Sequence, residues 1–92
     1  MEKYFDLLKT KYSNLNVYLF GSQANASADK DSDIDVAVIS NSITDNVIEE
    51  TFKLMKLRRE IDLRIEPHPF SQESFAENPF SKEILKTGIK IL

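Results

Sequence analysis

The chain has 92 residues, of which 41% are hydrophobic, and this length and composition fit one small domain over residues 1–92. The net charge is −3 and no long basic run is present, which argues against direct binding of nucleic acid. The absence of cysteine excludes disulfides and thiolate metal sites. No apolar stretch is long enough for a signal peptide or a membrane span, so we expect a cytoplasmic protein.

The amino-terminal third of the sequence alternates between helix and strand patterns. Apolar residues at helical spacing predict a packing helix over residues 2–12. The β-branched and aromatic run over residues 16–20 predicts a first strand. Residues 22–28 favour a short helix whose amino end points at a phosphate site, and a polar turn over residues 28–32 follows it.

A second strand is predicted over residues 33–39, and it carries two aspartates. Because side chains alternate between the faces of a strand, Asp33 and Asp35 share one face. The alternate residues, all aliphatic, share the other face, which is apolar enough to belong to the core.

A helix is predicted over residues 46–59, with Thr44 or Asp45 as its amino-terminal cap. Its apolar residues form a stripe that we expect to face the core. They are Val47, Ile48, Phe52, Leu54 and Met55. Basic residues at the end of this helix lie favourably near the negative end of the helix dipole.

A third strand is predicted over residues 60–66, where apolar and polar residues alternate strictly. Asp62, Arg64 and Glu66 then share one face. We expect an ion pair between Arg64 and a neighbouring acid, with a phosphate contact as the alternative. The segment with two prolines that follows must leave the sheet, since proline cannot donate to a ladder. We expect His68, within that segment, to be loop structure with no catalytic role.

The last quarter of the chain predicts two short helices and a short edge strand over residues 89–92. Asn78 and Pro79 predict the start of the second helix, and Gly88 predicts its end. Strands that alternate with helices, with the acids at one end of the sheet, indicate an α/β (α+β) fold in which a small mixed sheet packs against helices.

Three carboxylates are candidates for a metal site. Asp33 and Asp35 lie together at the edge of a hydrophobic strand, which is costly unless a positive charge lies between them. If the third strand lies beside the second, Asp62 joins them over the same face. Hard oxygen ligands of this kind suit Mg²⁺, which carboxylates hold together with substrate phosphates. We therefore predict Asp33, Asp35 and Asp62 as metal ligands and catalytic residues.

The turn after the first strand is a candidate phosphate site. Gly21 allows close approach of the backbone, and Ser22 offers a hydroxyl and an amide to phosphate. Ser32, directly before the first aspartate, is a further candidate for a phosphate contact, and a plain turn residue is the equal alternative.

These motifs together resemble a known signature. Gly21-Ser22, ten residues, Asp33-Ile34-Asp35 and a later aspartate with apolar flanks are similar to the pattern of the nucleotidyltransferase superfamily related to DNA polymerase beta. The short chain most resembles the minimal nucleotidyltransferases, which often act as antitoxin partners of HEPN-domain toxins. The resemblance covers nearly the whole chain. Asn25 and Ala26 depart from it, because family members commonly have arginine and glycine there.

The resemblance implies a nucleotidyltransferase fold and a Mg²⁺-dependent transfer of AMP from ATP to a hydroxyl, such as a tyrosine side chain of a HEPN toxin. Because the sequence predicts no acceptor pocket, the acceptor would arrive on another protein, or the chain would form half of a dimeric site; we therefore expect a homo- or hetero-oligomer. Two alternatives stay open: a small-molecule nucleotidyltransferase, for instance one that modifies aminoglycosides, and an antitoxin that binds its partner without catalysis.

Overall fold

Helices and strands alternate along the part of the chain that the computed structural model describes, which comprises residues 2–21, 34–59 and 61–92. In chain order the elements are α1 (Glu2–Lys11), β1 (Asn16–Phe20), β2 (Ile34–Ile39), α2 (Val47–Arg58), β3 (Ile65–Phe70), α3 (Gln72–Glu77), α4 (Ser81–Thr87) and β4 (Ile89–Lys90). The mixed α/β architecture predicted from the sequence is confirmed. No helix in these residues is long and apolar enough to cross a membrane.

The four strands form one mixed sheet in the order β3-β2-β1-β4. β1 is antiparallel to both β2 and β4, whereas β2 and β3 run parallel. The third strand lies beside the second, which is the condition that the sequence interpretation set for a shared acidic face. This parallel pair positions the functional site, because it fixes which β3 side chains lie next to Asp35.

One face of the sheet packs against α1 and α2 and forms the larger core. Its buried residues are Tyr4, Phe5, Leu8, Val17, Ile34, Val36, Val38, Ile43, Leu54 and Ile65. The Tyr4 hydroxyl donates a hydrogen bond of 3.1 Å to the Leu54 carbonyl, which ties α1 to α2. Burial raises the pKa of the Tyr4 phenol well above its ordinary value, so this hydroxyl is a neutral donor.

The opposite face is covered by α3 and α4 and is richer in aromatic side chains. Its buried residues are Phe20, Ala37, Ile39, Phe75 and Ile84. The Phe75 ring stacks on Tyr18 at 6.5 Å and meets Phe70 edge-on at 5.3 Å, measured between ring centroids. As predicted, α4 ends at Gly88, whose amide donates to the Ile84 carbonyl.

β3 begins five residues later than the alternation over residues 60–66 predicts, and both prolines lie inside it. Ile34 N donates to the Arg64 carbonyl at 2.8 Å and Ser40 N to the Phe70 carbonyl at 3.1 Å. Since backbone groups alternate with a period of two, the even-numbered residues of β3 form the hydrogen bonds to β2. The backbone nitrogens of the odd-numbered Pro67 and Pro69 therefore point away from β2. The prediction that the prolines leave the sheet is wrong, because at a free edge they give up no ladder donor.

The orientation of α2 also differs from the prediction. The helix buries Glu50 and Leu54, whereas Val47, Ile48, Phe52 and Met55 are exposed. Its inward row, Glu50, Leu54 and Leu57, follows helical spacing, but the glutamate at its start conceals the row in the apolar pattern. Asn46 is the amino-terminal cap in place of Thr44 or Asp45, since its side chain accepts from Glu49 N at 3.1 Å.

Candidate active site

The site begins where β1 ends, at the turn residue Gly21. Phe20 pairs with Asp35 in the antiparallel register, so the next residue lies directly against the Asp35 side chain. Gly21 has φ 71°, and a Cβ placed there would lie 2.6 Å from Asp35 Oδ2. Only glycine meets both conditions, because it tolerates positive φ and brings no side chain against the carboxylate.

Three potential metal ligands come together on the face of the sheet that carries Asp35. The parallel register sets Asp35 beside Glu66, and His68 follows two residues later on the same face. One ligand atom from each of the three residues lies within 4.8 Å of the others. His68 Nε2 lies 3.2 Å from Asp35 Oδ1, within hydrogen-bonding distance.

This acidic cluster, Asp35 with Glu66 and His68, is partly shielded from water but open to a ligand. The Asp35 side chain is 26% exposed and that of His68 is 41% exposed. The Phe20 ring packs against the His68 ring with 5.1 Å between centroids, which restricts the orientation of the imidazole. Two carboxylates and an imidazole form a donor set that divalent cations accept, with the carboxylates suited to Mg²⁺.

Asp62 lies outside this cluster, in the turn before β3. Its carboxylate accepts from the Arg64 side chain at 2.9 Å and from the Arg64 backbone amide at 2.9 Å. These two hydrogen bonds lower the pKa of Asp62 from 3.8 to about 2. The expected ion pair between Arg64 and a neighbouring acid is confirmed. The prediction that Asp62 lies on the third strand is wrong, because the strand starts only at Ile65.

A groove of about 470 Å³ runs beside the acidic cluster, between α2 and the free edge of β3. It is lined by Thr44, Val47, Thr51, Met55, Glu66, Pro67, His68, Pro69, Phe70, Ser71, Ser74 and Asn78. None of these lining residues is lysine or arginine, so the groove is a poor site for a triphosphate. Its apolar walls and hydroxyl groups suit an uncharged group.

Comparison with known proteins identifies the family. The nucleotidyltransferase domain family matches residues 1–91, nearly the whole chain. The chain belongs to this family. It is therefore a nucleotidyltransferase, and the cluster next to the glycine turn is its candidate active site.

Solved structures share the fold of this nucleotidyltransferase. A crystal structure of a toxin–antitoxin with AMP-PNP has a TM-score of 0.70 at 24% identity, over 97% of this chain and 69% of that chain. A Sulfolobus solfataricus protein assigned as a nucleotidyltransferase has a TM-score of 0.71 at 19% identity, over 97% of this chain and 73% of that chain.

A tyrosine-to-alanine mutant of the toxin–antitoxin MntA-HpeT has a TM-score of 0.69 at 23% identity, over 99% of this chain and 70% of that chain. No curated protein sequence matches the chain significantly. At these identities the solved structures establish a common fold.

Several predicted site residues of the nucleotidyltransferase lie outside the described residues. They are Ser22, Ser32 and Asp33, together with the predicted short helix over residues 22–28 and the departures Asn25 and Ala26. Their roles in binding phosphate or metal stay predictions.

The sequence interpretation missed Glu66 and His68. Two signals identify them in retrospect. The first is that Glu66 shares the polar face of the alternation that drew attention to Asp62, so a later strand start selects it. The second is the Pro67-His68-Pro69 spacing: two prolines at alternate positions fit an edge strand and leave the intervening histidine on the opposite face.

Proposed function

We propose that this nucleotidyltransferase transfers AMP from ATP to a hydroxyl side chain of a partner protein and acts as an antitoxin for a HEPN-type toxin. The observation that carries the proposal is the acidic cluster held directly beside the glycine turn. Two structural neighbours support the biological setting, since one is a toxin–antitoxin with AMP-PNP and the other is MntA-HpeT. A reaction that consumes ATP agrees with the cytoplasmic location expected from the sequence.

A divalent cation fits the donor set of the acidic cluster. Asp35 and Glu66 would hold Mg²⁺, with Asp33 as a further ligand from the position before β2 and Glu66 in the role first assigned to Asp62. When bound, the cation supplies positive charge that offsets the charge of the phosphates and of the leaving pyrophosphate.

The protein groups around this site position the reactants. Gly21 would bind the phosphates, with Ser22 and Ser32 as the predicted further phosphate contacts. The His68 imidazole is a positioning residue in this scheme, because its contact with Asp35 Oδ1 fixes the orientation of that carboxylate. Most of the rate enhancement would come from holding the acceptor and the nucleotide close together in line and from stabilising the charge that develops. No covalent enzyme intermediate is required.

The groove beside β3 would admit the acceptor. The acceptor oxygen forms a bond to the α-phosphorus as the bond from that phosphorus to the pyrophosphate oxygen breaks. The hydroxyl proton passes to Glu66, the carboxylate that belongs both to the acidic cluster and to the groove. A tyrosine hydroxyl suits the groove, because an aromatic ring meets its apolar walls and brings no charge.

Transfer of label from ATP labelled at the α-phosphate tests the proposal, with a HEPN-type partner protein as acceptor and Mg²⁺ present. We expect label on the partner, and Glu66→Gln to reduce labelling by about a thousandfold or more. Asp62→Asn is the matched control and should keep near-normal labelling. If Asp62→Asn abolishes labelling while Glu66→Gln does not, the assignment of the third carboxylate is overturned.

The same assay separates the two alternatives. A stable complex with the partner and no labelling in any metal would favour an antitoxin that binds without catalysis. Labelling of an aminoglycoside with no labelling of the partner would favour a small-molecule nucleotidyltransferase.

A further inference from the structure

The outward face of α2 carries apolar side chains that the fold does not cover. Ile48 is 85% exposed, Phe52 58% and Met55 36%. Their spacing of four and three residues places them on one side of the helix, opposite the inward Glu50 and Leu54. We name these three residues the α2 stripe.

Charged residues at the two ends of the α2 stripe have opposite sign. Asp45 and Glu49 lie at its amino end, whereas Lys56 and Arg59 lie at its carboxyl end, and all four are exposed. At roughly 100° per residue, Glu49, Lys56 and the cap residue Arg59 each lie within about 60° of the direction of Phe52, and Asp45 lies just before the amino-terminal cap Asn46. The outward face is therefore acidic at the amino end of α2, apolar in the middle and basic at the carboxyl end.

We propose that the chain self-associates through α2, with two copies packed antiparallel about a two-fold axis at Phe52. In this arrangement Ile48 meets Met55 of the second copy, and Glu49 meets Lys56 of the second copy. Asp45 at one end then faces Arg59 of the second copy at the other. A two-fold axis perpendicular to the plane that contains the two helices brings each side of α2 against the same side of the second copy. The side with Ile48 and Met55 then meets itself, and so does the side with Glu49 and Lys56.

A second copy fits this face because the complementarity is already present within one sequence. Parallel packing of the same helices would set Glu49 near Glu49 and Lys56 near Lys56, which is repulsive. At the centre, the Lys56 ammonium lies 4.9 Å from the Phe52 ring centroid, which allows a cation–π contact beside the Phe52 pair.

The association is expected to be weak and dependent on concentration. α2 has 12 residues and so spans only about 18 Å. A single helix pair of that length buries less surface than a stable dimer needs, which is on the order of 1,000 Å² or more. The inference does not depend on the proposed transfer reaction, although Met55 belongs both to the α2 stripe and to the groove.

Sedimentation equilibrium of the full chain over a broad concentration series tests self-association. We expect the mean mass to rise from monomer toward dimer, and Phe52→Glu to weaken association by roughly a hundredfold or more because it places a charge at the centre. Leu85→Glu is the matched control, since Leu85 is 54% exposed on α4, and it should associate normally. A chain that is monomeric at every concentration, or a dimer unaffected by Phe52→Glu, overturns the proposal.

Charge reversal tests the antiparallel register. Asp45→Arg alone and Arg59→Asp alone each set like charges against each other across the interface and should weaken association, whereas the double variant restores opposite charges and should recover it. Circular dichroism checks that α2 is retained in every variant. If the double variant stays as weak as the singles, the antiparallel register is wrong. If a chain that stays monomeric still transfers label, the proposal of self-association is overturned and the proposed function is not affected.

Discussion

The two faces of the sheet serve different purposes, and β2 contributes to both. On the side of α1 and α2, Val36 and Val38 are fully buried among other apolar side chains. On the opposite side, Ala37 and Ile39 are buried, but the strand begins that face with Asp35, next to Glu66. Because alternation sends neighbouring residues to opposite faces, stability and chemistry are specified by adjacent positions of one strand.

The largest expected effect is the loss of AMP transfer when Asp35, on the face of the sheet that carries the acidic cluster, is replaced. Asp35→Asn removes the charge of the carboxylate at the centre of the acidic cluster and keeps its size. We expect transfer to fall by about a thousandfold, since metal charge stabilisation is worth several kcal/mol. Mg²⁺-ATP should stabilise the parent chain by about 2.7 kcal/mol at a hundredfold excess over the dissociation constant. Asp35→Asn should lose most of this stabilisation, which is measured as the rise in melting temperature on adding Mg²⁺-ATP.

Val36→Ala is the control for that comparison, because it alters the next residue on the same strand. It should lower the melting temperature while transfer per folded molecule stays near normal. Equal transfer by Asp35→Asn and the parent chain would show that the two faces are not divided in this way.

The next effect concerns the aliphatic face. Leu54 is fully buried in the core and its carbonyl accepts from Tyr4. Leu54→Ala should lower the free energy of unfolding by about 3 kcal/mol, from lost apolar transfer and the cavity that remains. For a domain of this size, each kcal/mol changes the melting temperature by roughly 4–8 °C. Denaturant unfolding measures the change, and a loss below about 1 kcal/mol would show that α2 does not anchor this core.

A smaller effect is expected at His68, which lies between Asp35 of the acidic cluster and the ring of Phe20. His68→Ala removes the contact with Asp35 Oδ1, and loss of such a supporting contact typically costs roughly 10–100-fold in metal affinity or activity. His68→Asn, which keeps a donor near the carboxylate, should recover part of the loss. Calorimetric titration with Mg²⁺-ATP measures this. No change in metal or nucleotide affinity in His68→Ala would remove its positioning role.

Elements whose signal is local were predictable from the sequence. β1 matches its predicted bounds, and the described part of β2, Ile34–Ile39, lies within its predicted range. In both strands the composition alone favours an extended chain. The face of β2 that carries Asp35 was also correct, since a period of two leaves no choice. For the same reason, the closeness of Gly21 to Asp35 follows once the two strands pair.

Features that depend on tertiary contacts were not predictable. The start of β3 is set by its pairing with Ile34, and only an edge position makes Pro67 and Pro69 acceptable in a strand. The orientation of α2 places Glu50 inward, where it is 2% exposed and forms an ion pair of 3.2 Å with Lys53. A buried glutamate reverses an assignment based on hydrophobicity, because the apolar pattern treats it as an outward residue.

The smallest predicted effect concerns Asp62, the acid that the sequence placed in the cluster and the structure places in a turn. Hydrogen bonds from Arg64 hold the pKa of Asp62 at about 2, below its usual 3.8. A folded-state pKa below the unfolded value stabilises the fold above about pH 4, and this contribution disappears as the pH falls from about 4 to 2. Arg64 is 42% exposed, so water screens the pair and its contribution should be less than about 1 kcal/mol.

Unfolding free energies of the parent chain and Asp62→Asn at a series of acidic pH values measure this contribution. The difference between them should be present at pH 6 and shrink to zero near pH 2, because the parent chain protonates Asp62 only there. Asp62→Asn keeps an oxygen that can accept from the Arg64 amide, so the turn is preserved and the comparison isolates the charge. If the two stabilities change in parallel over this range, the ion pair contributes nothing to the stability of the fold.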